Sequence, residues 1–400
     1  MNHLKTSGDV LTEVRGQVGF ITLNRPKALN ALSLQMVRDL AAALQAWRDD
    51  AGILAVAIRG SNKAGRPGSP ESRFGGFSAG GDIRFFHEAA LAGNSELDAF
   101  FTEEYRLNHL IHNYPKPYIA FMDGVVMGGG MGISVGATVR IVTEHSKIAM
   151  PETAIGLFPD VGGGYFLSRC PGSVGEYLAL TGAVISGDEA LAYGLADVKL
   201  PAASLPALWD QLGGQVFAAT SEVEQWIATN LIAGDARPER VGGKFDQYFS
   251  LARVKHIVDA LESAPDDAAK KTAALLRTRS PLMLHVTLEQ IRRARSMSLA
   301  DNLRMERGMV HHCFHLQPGK DVDPHACRCA NCAAPQGGGP CLGRPGAAAS
   351  ETVEGIRALV IDKDYAPKWQ PSRIEDVKPA MVQAFFASPW PADAHPLRAL

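Results

Sequence analysis

Apolar and polar residues alternate through Val10–Leu23 on both sides of Gly16-Gln17, and this period of two predicts a β-hairpin. Pro26 ends it. Ser33 has the side chain of an N-cap, and Leu34, Met36, Val37, Leu40 and Leu44 follow at helical spacing. Ile53–Ile58 reads as a buried strand. A turn-rich loop over 60–76, with Arg66-Pro-Gly-Ser-Pro70 inside it, leads to Phe77–Asp82. Helices are predicted from about Ile83 and over 97–113. Tyr118–Phe121 reads as a strand leading to glycines 128, 129 and 130, and Val139–Val142 and Lys147–Met150 as short strands. Ser186-Gly-Asp-Glu189 has capping-box spacing and opens a helix that ends near Gly194. Beyond about 205 the pattern is helical, over 206–219, 252–264 and 281–295. Strands and helices alternating over 10–200 predict an α/β core. The boundary to a helical region falls near 205–220, which divides the chain into 1–210 and 211–400.

Composition changes this picture little. With 46% hydrophobic residues the chain can bury a large core, and a net charge of −2 gives no reason to expect nucleic acid or an anionic membrane as partner. No apolar run approaches the ~18–20 residues of a membrane span. Met1–Thr6 lacks a signal-peptide apolar region, so a cytoplasmic protein is expected. Six cysteines in 400 residues do not form a disulfide scaffold.

Chemistry concentrates in two stretches. After the strand at 118–121, the glycine triplet permits a sharp turn and lets bare N–H groups approach a ligand, a setting that suits an oxygen gaining negative charge. Pro151–Gly164 then supplies Glu152 and Asp160 among Ile155, Leu157, Phe158 and Val161. Carboxylates in such surroundings are functional candidates, against the plain reading of solvated loop charges. A dinucleotide loop from Gly130 would need glycine at 135, where Val135 stands, and no phosphate-loop or G-x-S-x-G motif is present. His145 reads as structural or exposed, Cys170 as a small core residue, and Asp82 as a helix N-cap.

These motifs carry a resemblance. Asn24–Ala31, Ser78-Ala-Gly-Gly-Asp82, Asp123–Gly130 and Pro151–Gly164, with tail motifs at Glu354–Ala358 and Ile361–Trp369, occur in the order found in the crotonase (enoyl-CoA hydratase/isomerase) superfamily. Within it the chain is similar to the 3-hydroxyisobutyryl-CoA hydrolase branch. The resemblance implies a stacked ββα spiral core with a C-terminal helical domain, and a trimer-based homo-oligomer. It implies an acyl-CoA substrate and no cofactor apart from the coenzyme A of that substrate. The N–H groups of Ala79 and Gly129 would form an oxyanion hole, with the thioester between Gly80, Gly81, Asp82 and Gly128. Lys27, Ala28 and Leu29 would line the adenine-pantetheine path, and Glu104 would hold the substrate, against the plain reading of a solvated helix charge. Hydratases of the superfamily carry a second glutamate where this chain has Gly132. With Glu152 and Asp160 as the catalytic pair, the resemblance implies hydrolysis of a short branched 3-hydroxyacyl-CoA, as in valine breakdown. Hydration or isomerisation of another acyl-CoA is the alternative.

Five of the six cysteines lie between Cys313 and Cys341, with His311, His312, His315 and His325 nearby. Cys329 and Cys332 could chelate one end of a structural zinc site. A single C-x-x-C in a Gly/Pro/Ala-rich insertion over about 316–350 favours a disordered loop with incidental thiols and no metal.

Overall fold

The computed structural model describes residues 7–62, 74–231, 242–243, 245–314 and 350–400. The tip of the 60–76 loop and the cysteine-rich insertion lie outside them. β1 (Val10–Arg15) and β2 (Val18–Leu23) form the expected antiparallel hairpin, with Val10 opposite Leu23. Ser33 caps α1 (Leu34–Asp49) by accepting a hydrogen bond from the Met36 N–H at 3.2 Å. Next come β3 (Ala55–Gly60), α2 (Ile83–Ala92) and α3 (Glu96–His112), then β4 (Tyr118–Phe121), β5 (Val125–Met127) and the single turn α4 (Gly129–Gly132). β6 (Val139–Val142), β7 (Lys147–Ala149), α5 (Gly163–Leu167), α6 (Val174–Thr181), α7 (Gly187–Ala192) and β8 (Val198–Lys199) complete the strand-bearing part. Both hydrogen bonds of the Ser186–Glu189 capping box are present on α7.

The main sheet has the order β1-β2-β3-β4-β6-β8, parallel from β2 onward, and β5 pairs with β7 in a second, two-stranded parallel sheet. Both faces of the main sheet are covered at β2, β3 and β4, and β3 and β4 are buried along their whole length. The pleat sorts them: Ile21, Leu23, Val56, Ile58, Tyr118 and Ala120 enter one core, and Val18, Phe20, Ala55, Ala57, Ile119 and Phe121 the other.

That second core is closed by α8 (Leu205–Gly214) and α9 (Thr220–Asn230), through Trp209, Leu212, Val223 and Ile227. α8 ends at Gly214, short of the predicted 219. The helices that follow are α10 (Asp246–Phe249), α11 (Val254–Ser263), α12 (Asp267–Leu276), α13 (Pro281–Ala294), α14 (Leu299–Phe314), α15 (Glu351–Ile356) and α16 (Pro379–Ala384). The last strand ends at Lys199, where the composition changes, yet Met283, Ile291, Leu303, Met309 and Val353 pack into the same core as α1 and α3. The helical tail therefore packs into the core of the strand-bearing part. Among the described residues no helix is long and apolar enough to cross a membrane.

Candidate active site

The Ser78–Asp82 loop runs beside β5, with the Ser78 N–H donating to Val125 O at 2.9 Å and the Met127 N–H to Ser78 O at 3.0 Å. Just past β5, Gly128 adopts φ 48° and ψ −120°, a conformation open to glycine and not to residues with a Cβ. The two segments close on each other: a Cβ placed on Gly129 would lie 3.4 Å from Gly81 N. Gly129 opens α4, so its N–H has no acceptor inside the helix. Among the described residues neither Gly129 N–H nor Gly81 N–H donates to a protein acceptor.

Ala79 behaves differently from expectation. Its N–H donates to Leu29 O at 3.0 Å and is therefore already used in holding the 78–82 loop to the 26–29 turn. Gly129 N–H is unengaged at the expected position, and the unengaged N–H facing it is that of Gly81, two residues along from Ala79. Leu29, at φ 54°, is exposed like Lys27, with Ala28 half-buried between them. These three residues stand outside the cavity, on a turn that abuts its Ala79 edge. Asp82 is an N-cap, accepting from Phe85 N at 3.3 Å and pairing with Arg25 at 2.8 Å.

Three carboxyls line the cavity behind the donors: Glu104 from α3, Glu152 from the 3-10 turn Glu152–Ile155, and Asp160 from the turn before α5. All are buried, with exposures of 2%, 6% and 5%. Glu104 is thus no solvated helix charge. Its Oε1 faces Gly129, 2.6 Å from where a Cβ would stand, and Glu152 Oε1 faces Gly128 in the same way at 2.9 Å. Glu104 Oε1 and Glu152 Oε2 are buried without a hydrogen-bond partner among the described residues. Unpaired buried oxygens cost about 1–3 kcal/mol each, which a stability role does not explain.

Asp160 is supported by the Tyr105 hydroxyl, which donates to its Oδ2 at 2.8 Å. Burial drives Glu104 and Glu152 well above the usual carboxylate range, and the nearby Asp160 charge pushes both further up. Burial also raises Asp160, but the Tyr105 hydrogen bond opposes it and leaves the group at about 6. Asp160 is therefore the most acidic of the three carboxyls.

Gly132 has no room for an acid. A Cβ there would stand 2.7 Å from Val161 Cβ and 2.8 Å from Asn108 Nδ2. Val161 itself has φ 53°, a strained value for a β-branched residue that costs of order 1–3 kcal/mol. The Glu152 turn is backed by α15, where Thr352 Oγ1 donates to Gly156 O at 2.6 Å, and Leu359 reaches the cavity just beyond it. Sequence reasoning assigned no part to Asn108 or Leu359, gave Val161 only as an apolar neighbour of the carboxylates, and gave Tyr105 no role of its own beside Glu104. Tyr105 had a local signal, since it adjoins Glu104 on one helix.

His145 is exposed and Cys170 is buried in the core, as expected. Among the described residues no group of three or more His, Cys, Asp and Glu is placed to hold a metal. Cys313 is buried on α14, and the other four clustered cysteines lie outside the described residues.

Comparison with known proteins identifies the family. The family model for enoyl-CoA hydratase/isomerase matches residues 18–322 and 343–386. A mitochondrial 3-hydroxyisobutyryl-CoA hydrolase from Xenopus tropicalis is 36% identical over 394 residues, covering 97% of this chain and 91% of its own. 3-Hydroxyisobutyryl-CoA hydrolase 1 from Arabidopsis thaliana is 35% identical, covering 96% and 92%. Among solved structures, a carnitinyl-CoA dehydratase from Mycobacterium thermoresistibile superposes with a TM-score of 0.75 at 36% identity, covering 97% of this chain and 98% of its own. An enoyl-CoA hydratase from Rhodobacter sphaeroides gives 0.74 at 32% identity, covering 95% and 98%. The fold is that of the crotonases, and the chain belongs to the enoyl-CoA hydratase/isomerase family, within its 3-hydroxyisobutyryl-CoA hydrolase branch.

Proposed function

We propose that this protein hydrolyses the thioester of a short, branched 3-hydroxyacyl-CoA of the 3-hydroxyisobutyryl type, giving the free acid and coenzyme A. The observation that carries the reading is the pair of unengaged N–H groups at Gly81 and Gly129, faced by buried Glu152 and Asp160, with Gly132 closed to a second acid. The thioester oxygen, placed between the two donors, gains negative charge as the carbonyl is attacked, and each such donor is worth roughly 10²–10³ in rate. Glu152 and Asp160 hold one proton between them. In the reacting form Glu152 is ionised and either attacks the carbonyl carbon or takes a proton from the attacking water. Asp160 then carries the proton and delivers it to the departing coenzyme A sulfur as the C–S bond breaks. Water completes the balance, and no further cofactor enters the reaction. Glu104, its carboxyl shifted toward the neutral form by burial and its Oε1 unpartnered, suits a hydrogen bond to the substrate 3-hydroxyl.

A second reading is hydration of an enoyl-CoA. It is favoured by the descriptions of the two superposable solved structures and by the presence of two glutamates, Glu104 and Glu152, in one cavity. A panel of acyl-CoA thioesters separates the two. Thiol release confined to 3-hydroxyacyl members supports hydrolysis, and loss of the enoyl double bond without thiol release supports hydration.

A further inference from the structure

The turn bearing Asp160 is held from both sides by the C-terminal helices. Ahead of it, Gln290 Nε2 on α13 donates to Pro159 O at 2.7 Å. Behind it, the Gly162 and Gly164 N–H groups donate to Glu306 on α14, to Oε2 at 2.8 Å and Oε1 at 2.9 Å. Gln290 Nε2 and Asn302 Nδ2 also donate to Glu306 Oε1, at 2.9 and 2.8 Å. Between these ties sit Asp160 and the strained Val161.

Glu306 is fully buried, and its four hydrogen-bond donors are all neutral amides. Burial raises its pKa, while the four N–H donors favour the ionised carboxylate, in which both oxygens accept. A carboxylate so placed is unfavourable for stability alone, since no cation among its hydrogen-bond partners offsets the lost hydration. What it supplies is geometric. Two oxygens accept from two backbone N–H groups two residues apart, which a carboxamide with one acceptor oxygen cannot do. A strained turn persists only where its surroundings over-determine it.

We propose that Glu306 is a positioning residue for the hydrolysis: its carboxylate fixes the 162–164 backbone so that Asp160 stays against Tyr105 and facing Glu152. This inference rests on the reading of Asp160 as catalytic, and the two fail separately in the experiment. Thiol release from 3-hydroxyisobutyryl-CoA is measured for Glu306→Gln, Asp160→Asn and the double variant, with circular dichroism and melting as checks on folding. Glu306→Gln lowers kcat by about tenfold or more while KM moves less than about threefold, the pattern of a group that acts on the chemical step. In the Asp160→Asn background the same change lowers the residual rate by less than about twofold, because neighbours acting through one group are not additive. An unchanged kcat in Glu306→Gln, or an equal loss in both backgrounds, overturns the proposal. Full activity in Asp160→Asn instead overturns the catalytic reading beneath it. If Glu306→Gln does not fold, Gln290→Met decides. It keeps the Glu306 carboxylate but removes one of its donors together with the Pro159 tie, so the same background-dependent loss of kcat is expected, and an unchanged or additive kcat overturns the proposal.

Discussion

The Tyr105 hydroxyl donates to Asp160 Oδ2 at 2.8 Å, and this bond distinguishes Asp160 from the two glutamates that share its cavity. Tyr105→Phe removes the donor without changing the ring. Hydrogen bonds to charged groups contribute about 1.5–3 kcal/mol, which corresponds to about 1–2 pH units at 1.36 kcal/mol per unit. The first ionisation of the site, near 6 with Tyr105 present, therefore moves upward. Since the reacting form needs that ionisation, the acid limb of the kcat profile moves to higher pH. A profile of unmoved acid limb would show that Asp160 is not the group reported there.

Gly129→Ala tests the donor turn. The new Cβ would meet Glu104 Oε1 at 2.6 Å and Leu32 Cδ1 at 3.3 Å, so the turn that carries the proposed donor must shift. Turnover is expected to fall by roughly 10²–10³, the value of one misplaced donor, with an unchanged circular dichroism spectrum. Activity within about twofold of the parent, a negligible change in barrier, would place the donor elsewhere.

Installing the missing hydratase acid is expected to fail without repacking. Gly132→Glu drives its Cβ into Val161 and Asn108, an overpacking that costs about 1–3 kcal/mol, seen as a lower melting temperature. Asp160→Gly with Gly132→Glu therefore gains no hydration of crotonyl-CoA. Adding Val161→Gly and Asn108→Ala removes the obstruction and restores the melting temperature lost to Gly132→Glu. A Gly132→Glu single variant as stable as the parent would contradict this packing.

Glu104 offers a test in stability. Its carboxyl titrates well above the 4.5 of an unfolded chain, chiefly from burial, so the folded state binds the proton more tightly. As pH rises above about 4.5 the unfolded chain ionises while the folded one resists, and stability falls. Glu104→Gln removes this dependence. Its melting temperature should exceed the parent's by a margin that grows from pH 4.5 upward, while KM for a 3-hydroxyacyl-CoA rises. An advantage that shrinks with rising pH would place the carboxyl in a different environment.

The features legible in the sequence are those with local causes. The β1–β2 hairpin, the Ser33 cap and the Ser186–Glu189 box each depend on residues within a few positions of one another. The Glu152/Asp160 pair was legible as a motif. The choice of Gly81 over Ala79 was not, because it depends on Leu29 O, fifty residues earlier in the chain, taking the Ala79 proton. The burial of Glu104 was hidden for a similar reason: its cavity is walled by glycines from distant loops and by Leu359 from the tail. Glu306 lies 144 residues from Gly162, and no local pattern joins them.

The central claim is that Glu152 performs the chemistry on a thioester held by Gly81 and Gly129. Glu152→Gln keeps the shape of the side chain and removes the base or nucleophile, leaving both N–H donors in place. Thiol release from 3-hydroxyisobutyryl-CoA by this variant, measured beside binding of the same ester, is the direct test. The account predicts a loss of roughly 10²–10⁴ in turnover with binding retained. Full hydrolase activity in Glu152→Gln would contradict it.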